Sequence, residues 1–325
     1  MTSSELLARL RLGPMLLDGG VGTALQSMGL PLGCAPERWL IEYPDRIRQV
    51  HSEYERAGSD LVHTVTFGAN PVRLAATGLE GRCRDINIRA VCAAREAVRD
   101  RVIVAGDVGP TGLFLPPAGD ATEEQVEDAF RVQCEHLASS GADLISIETM
   151  YCAREAMAAV HAASATGLAV LCSMTFVQRS DGPATFLGDP VVESLSLLWR
   201  AGATVVGCNC TEASNVMVGM AEFIRNGLGE APIVMQPNGG QPVRGLSGVR
   251  YQAFPWEFAR NVVAMFDAGV SMVGGCCGVS VGMVRAARDA LDERARSGFH
   301  RSHSGFHEQA GSWACSESLL AGSPT

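Results

Sequence analysis

The chain reads as a (β/α)8 barrel. Three features of its 325 residues predict this: eight short apolar runs, helix-period stretches between most of them, and polar groups gathered at the runs' C-terminal ends. Strands alternating with helices form a parallel sheet covered by helices, and eight such units suggest closure into a ring. An open doubly wound sheet is the alternative arrangement of the same units.

The first run is Met15-Leu16-Leu17-Asp18, closing on Gly19 and Gly20. The second, 61–67, is half alternating and ends at Gly68. The third, Val102 to Val108, closes on Gly109-Pro110, and the fourth, 142–149, carries Glu148 near its end. Runs at 169–176, 203–210, 232–238 and 270–277 complete the set. Between them, 44–57, 122–139, 154–165 and 256–268 place apolar residues at three- and four-residue steps, the mark of amphipathic helices. Thr122 with Gln125 reads as a capping box at the head of the second of these. From Ser297 the pattern stops. A Ser-Gly-Phe-His repeat runs into Gly, Ser and Ala, so the expected organisation is a barrel over 1–296 and a disordered tail over 297–325.

Composition narrows the function. Hydrophobic residues make up 47%, enough for a sizeable core, and the net charge of −9 argues against nucleic acid, which needs basic patches. No apolar stretch reaches the roughly 18 residues that span a bilayer, and Met1 to Leu12 lacks a signal-peptide core. A cytoplasmic location is expected, with no membrane partner. The eleven cysteines, several inside apolar runs, fit free thiols and a metal site in a reducing compartment. There is no lysine. That excludes Schiff-base aldolases, pyridoxal-phosphate enzymes and P-loop nucleotide hydrolases, which all need a lysine amine.

The sharpest local feature is Cys276-Cys277 between Gly274-Gly275 and Gly278. Adjacent side chains of a regular strand point to opposite faces, but a glycine-flanked pair at a strand's end can curl so that both sulfurs meet. Cys210 closes another run after Gly207-Cys208-Asn209. Three thiolates suit zinc, and three ligands from separate strand ends leave a fourth position open for catalysis. Zinc held by three thiolates carries a formal charge of −1, so it is a poor Lewis acid for carbonyls. It can still bind and deprotonate a substrate thiol. The natural partner for that soft nucleophile is an activated methyl group. Glu148 could accept from an α-ammonium, and the amides of Gly19-Gly20-Val21-Gly22-Thr23 at a helix start could take a carboxylate. The bland readings are an acid paired with an arginine and an ordinary glycine turn.

Leu17-Asp18-Gly19-Gly20, Thr66-Phe67, Gly109-Pro110-Thr111-Gly112, Ile147-Glu148-Thr149, Gly207-Cys208-Asn209-Cys210, Pro237-Asn238-Gly239-Gly240 and Gly274-Gly275-Cys276-Cys277-Gly278 occur in this order. Together they make the chain, from about Leu16 to Leu291, resemble the homocysteine S-methyltransferase family. The resemblance implies a zinc site of Cys210, Cys276 and Cys277, and a soluble enzyme that methylates homocysteine to methionine. Asp18 and Glu148 are then expected to anchor homocysteine, with Asn238 near the metal and substrate. Cys208 stands outside the ligand positions of the motif.

Within the family, the wording looks closest to the homocysteine-binding module of cobalamin-dependent methionine synthase. Betaine-using relatives carry aromatic residues where this chain has Thr149 and Cys34, which disfavours betaine, although Trp39 and Tyr151 are near in sequence. The expected donor is a small sulfonium compound or a methylcorrinoid protein. Two other readings share the same cysteines: a homocysteine-binding subunit active only with a separate methylcorrinoid protein, and a non-enzymatic zinc-thiolate buffering or redox protein.

Overall fold

The computed structural model describes residues 1–301 except Asp181, Leu246 and Ser247, without the side chains of 244–250 and 297–301. Strands β1 Met15–Leu16, β2 Leu61–His63, β3 Ile103–Val108, β4 Leu144–Met150, β5 Ala169–Met174, β6 Val205–Ala213 and β7 Ile233–Asn238 lead to a hairpin, β8 Pro242–Gly245 and β9 Gly248–Tyr251, and then to β10 Met272–Val273. Eight of these form one sheet in the order β1-β10-β7-β6-β5-β4-β3-β2, every pair parallel.

The sheet's two ends meet. Leu17 bridges Leu61 in parallel, the Asp18 N–H donates to the Leu61 carbonyl at 3.1 Å, and the Asp60 N–H donates to the Leu16 carbonyl at 2.6 Å. Each strand thus has two neighbours, which decides for the closed barrel over the open sheet.

The period-2 alternation of the strands sorts the barrel's contents. Inward apolar residues Met15, Leu17, Leu61, Ile103, Ala105, Leu144, Leu171, Val205 and Val234 form one buried cluster, which Leu6 of the N-terminal helix Ser3–Leu10 joins from below. Two residues further along several strands, and four further along β6, the alternation places polar groups: His63, Asp107, Ser146, Ser173, Gln236 and Asn209, all buried. The outward residues, among them Val62, Val104, Ile145, Cys172 and Val206, pack under the helices in a second and larger cluster.

The four helices expected from periodicity are Pro44–Ala57, Glu123–Ser139, Ala153–Ser164 and Pro255–Asp267. Thr122 caps the second, with its side chain and that of Gln125 exchanging hydrogen bonds with each other's backbone N–H groups. Pro44–Ala57 starts on its proline and stops at Gly58, whose φ of 103° only glycine adopts cheaply.

The chain divides into two compact units, Met1–Leu291, which holds the barrel, and Asp292–Thr325. The last helix among the described residues is Val281–Arg301. The tail expected over 297–325 lies, from residue 302 onward, outside the described residues. Among the described residues no helix is long and apolar enough to cross a membrane.

Candidate metal centre and its pocket

Two strands break register where they reach the mouth. β6 loses its pairing with β7 between Asn209 and Ala213, and Cys210 there adopts φ 52°. β4 loses its pairing with β5 between Ile147 and Met150, and Thr149 adopts φ 63°. Non-glycine residues rarely take such angles, and the strain persists only where surrounding structure imposes it.

Asn209 is what imposes it. Its side-chain oxygen accepts the Thr149 N–H at 2.7 Å and the Ser173 hydroxyl at 2.9 Å. Its amide donates to Thr149 Oγ1 at 2.8 Å and reaches the Cys276 sulfur at 3.9 Å. One buried carboxamide therefore ties both bulges to the third strand end.

The segment after β10 is held just as closely. The Gly275 N–H donates to the Asp18 carbonyl and the Cys276 N–H to that of Pro237, each at 2.8 Å. The Gly239 N–H donates to the Cys277 carbonyl, also at 2.8 Å. Among the described residues, Cys210, Cys276 and Cys277 form a group of potential metal ligands with their sulfurs all within 4.8 Å of one another. The Cys210 and Cys277 sulfurs stand 3.8 Å apart. Two sulfurs at about 2.3 Å from a tetrahedral zinc would be about 3.8 Å apart, so the spacing fits such an ion. The charge divides unevenly among the three: hydrogen bonds from Cys210 and Cys276, against burial, lower the Cys277 thiol, whereas those of Cys210 and Cys276 are raised, so the cluster gathers its negative charge on Cys277.

Above the sulfurs lies a cavity of about 420 Å³, walled by Gly19 to Thr23, Gly33 to Glu37, His63, Phe67, Gly68, Arg73, Asp107, Glu148, Thr149 and the three cysteines. Glu148 takes a hydrogen bond from the Gln236 amide at 2.8 Å. Burial raises its carboxyl pKa. Burial and then the charge of Glu148 raise that of Asp107 further, and one Asp107 oxygen has no hydrogen-bond partner. Neither acid has an arginine partner among the described residues, and the His63 imidazole is the cationic group whose charge reaches both.

Two expected anchors stand off the wall. Asp18 is 1% exposed and is absent from the lining. Its oxygens take the His63 N–H at 2.8 Å and His63 Nδ1 at 2.7 Å. His63 Nε2 meets the Ser146 hydroxyl at 3.0 Å, so Asp18 reaches the pocket through His63. Burial disfavours charge on that imidazole, but the charge and hydrogen bond of Asp18, with Glu148 and Asp107, outweigh it and hold the pKa at about 10. Asn238 is likewise absent from the lining, and its side-chain oxygen is buried without a partner.

His63, Asn209 and Arg73 are pocket or brace residues to which the sequence pattern gives no role, and Asp107, one of the polar run ends expected at the mouth, is on the wall without a specific part having been expected of it. Inward alternation after Leu61 is the signal that could have marked His63. For Arg73, on a short helix after the strand, no signal exists. The two nearby aromatics do not line the cavity. Trp39 packs on Tyr43 with the Arg46 guanidinium over its ring, and Tyr151 packs near Phe114. Phe67 is the one Phe, Tyr or Trp on the wall among the described residues.

Residues 15–291 match the Homocysteine S-methyltransferase family. The methionine synthase of Mycobacterium leprae is 29% identical over 308 residues, an alignment covering 89% of this chain but 25% of that protein. The chain thus spans about a quarter of the length of this relative. The betaine–homocysteine S-methyltransferase 1 of Danio rerio is 30% identical, with 90% of this chain and 76% of the relative covered. The metallated form of a homocysteine methyltransferase from Escherichia coli superposes with a TM-score of 0.71 at 26% identity, covering 85% of this chain and 96% of the other.

Proposed function

The chain belongs to the homocysteine S-methyltransferase family, and from that premise we propose that it transfers a methyl group to the thiol of homocysteine, giving methionine, at a zinc ion held by Cys210, Cys276 and Cys277. The observation that carries this reading is the meeting of three sulfurs within 4.8 Å on the wall of a cavity that also presents two carboxyls, Glu148 and Asp107, without arginine partners among the described residues. Bound zinc would supply a site where a thiol ionises near neutral pH, well below its free pKa of about 8.5.

The chain's own residues would do the rest. Glu148 and Asp107 would receive the α-ammonium, regaining the charge that burial suppresses. The amides at the start of the helix Val21–Ser27 would take the α-carboxylate. Asp18 would position His63, and Asn238, with its unpartnered oxygen beside Gly239, is suited to approach the metal before substrate arrives. Asn209 would keep Cys210 and Cys276 at ligand spacing, as outer-shell partners of metal sites do.

A small sulfonium compound is the donor best suited to this pocket. A methylammonium donor such as betaine calls for several aromatic faces, and the wall offers Phe67 alone. A second reading draws on the quarter-length match to methionine synthase: the chain would then accept its methyl group from a methylcorrinoid on a separate protein. A donor panel decides. Zinc-loaded protein and homocysteine are incubated with S-methylmethionine, S-adenosylmethionine, betaine or a methylcorrinoid protein, and methionine is measured by mass. Sulfonium-dependent methionine, lost in Cys210→Ala, Cys276→Ala and Cys277→Ala along with their zinc, supports the reading. Full zinc occupancy in all three variants would refute the site, and turnover with the corrinoid protein alone would favour the second reading.

A further inference from the structure

Among the described residues, Arg73 is the one arginine on the cavity wall. It sits in the short helix Pro71–Ala76, where the Asn70 side-chain oxygen accepts its backbone N–H at 2.9 Å. Its guanidinium lies over the Phe67 ring, 5.8 Å from the centroid. Among the described residues it makes no hydrogen bond and no ion pair, whereas Arg82, Arg95, Arg99 and Arg154 each pair with an acid.

The acids near it are already engaged. Glu37 accepts the Gly68 N–H at 2.5 Å. Glu155 accepts both the Thr111 N–H, at 2.9 Å, and the Thr111 hydroxyl, at 2.7 Å. A guanidinium carries five N–H donors in a planar fork that matches a carboxylate, and here the fork faces a pocket with its donors unspent.

Its position says which carboxylate. Phe67 and Arg73 follow β2, whereas Cys210 lies in β6 and Cys276 and Cys277 follow β10. In the closed strand order β2 stands across the ring from β6, which carries Cys210, and two strands from β10, and one cavity is lined by both Arg73 and the three cysteines. The acceptor's own charged groups already have proposed partners on the same wall, in Glu148, Asp107 and the helix-start amides, which leaves the guanidinium for a second carboxylate, the donor's.

We infer that Arg73, backed by Phe67, is a carboxylate subsite for the methyl donor, and that the donor is an amino-acid-like sulfonium bound by its carboxylate with its methyl group turned toward the metal centre. This rests on the methyl-transfer reading above. In the step it serves, the homocysteine thiolate forms a new S–CH3 bond as the donor's S–CH3 bond breaks. The electron pair of the broken bond stays on the donor sulfur, which leaves as a neutral thioether, and the thiol proton has already gone to solvent.

The test compares S-methylmethionine with its decarboxylated counterpart, 3-aminopropyl-dimethylsulfonium, on the zinc-loaded full chain. The wild type should prefer the carboxylate donor by about tenfold or more in kcat/KM, as expected for a charge-assisted pair. Arg73→Gln should erase that preference through the KM of S-methylmethionine alone. Zinc content and homocysteine affinity should not change, and Arg73→Lys should recover part of the preference. An unchanged preference, an equal loss for both donors, or a tenfold fall in homocysteine affinity would overturn the assignment. If neither sulfonium is turned over, the donor reading fails separately. Calorimetric binding of S-methylmethionine would still judge the subsite: about tenfold weaker binding to Arg73→Gln upholds it, and equal binding overturns it.

Discussion

At the scale of single residues, the pocket is an arrangement of charges that burial leaves incomplete. Glu148 is half-buried with one amide donor for company, so an ammonium arriving beside it completes a charge-assisted hydrogen bond of about 1.5–3 kcal/mol. Glu148→Ala should therefore weaken homocysteine binding about ten- to a hundredfold and leave zinc content intact. Unchanged affinity by calorimetry would reduce Glu148 to a structural acid. His63 gives a pH signature. Its pKa is raised from 6.5 to about 10 in the folded protein, so the stability it contributes is complete below pH 6.5 and is lost as pH rises through 10. Urea midpoints should consequently fall more between pH 7 and 10 in the wild type than in His63→Gln, which cannot titrate. Parallel slopes would show that the Asp18–His63 pair carries no such charge. Residues with chemistry of their own, Cys210, Cys276, Cys277 and Glu148, were legible as types at run ends. Asn209 and the Asp18–His63 contact were not, because they depend on partners on other strands, 45 residues apart for Asp18 and His63, and no local pattern encodes those.

At the scale of elements, the useful departures are the ends of strands. The runs at 61–67 and 270–277 become strands of three and two residues, because their C-terminal halves leave the sheet to build the mouth. Apolar content cannot reveal this, since most of the peeled residues, such as Val65, Thr66 and Gly275, are buried like the paired ones. The hairpin β8–β9 was also unforeseen. It is four residues a side, too short for a period, and glycine-rich enough to read as loop. Yet it matters, because it lays Tyr251 against the cysteine segment. At Gly278, φ is 80°, and a Cβ there would overlap the Tyr251 ring. Gly278→Ala should thus cost about 1–3 kcal/mol from backbone strain and displacement of that ring, lowering the melting temperature and loosening metal binding at Cys277. A variant with wild-type melting temperature and zinc affinity would show that the hairpin does not press on the metal centre.

At the scale of the whole molecule, closure of the ring is what turns dispersed residues into one site. Eight alternating units were visible in the sequence, but closed and open sheets share that pattern, and the difference is a seam of one bridge and two hydrogen bonds around Leu17 and Leu61. Once closed, the barrel brings Asp107, Glu148, Cys210 and Cys276 from four separate strand ends to one cavity, as barrel enzymes do. The proposed function requires that this assembly, once it holds zinc, ionise a bound thiol. Homocysteine binding to the zinc-loaded protein should be measured by calorimetry at neutral pH, in buffers of different ionisation enthalpy. About one proton should be released per homocysteine bound, since a metal-bound thiol is deprotonated outright, and both binding and release should collapse once the metal is removed. Binding of undiminished strength to metal-free protein, with no proton released, would contradict the claim.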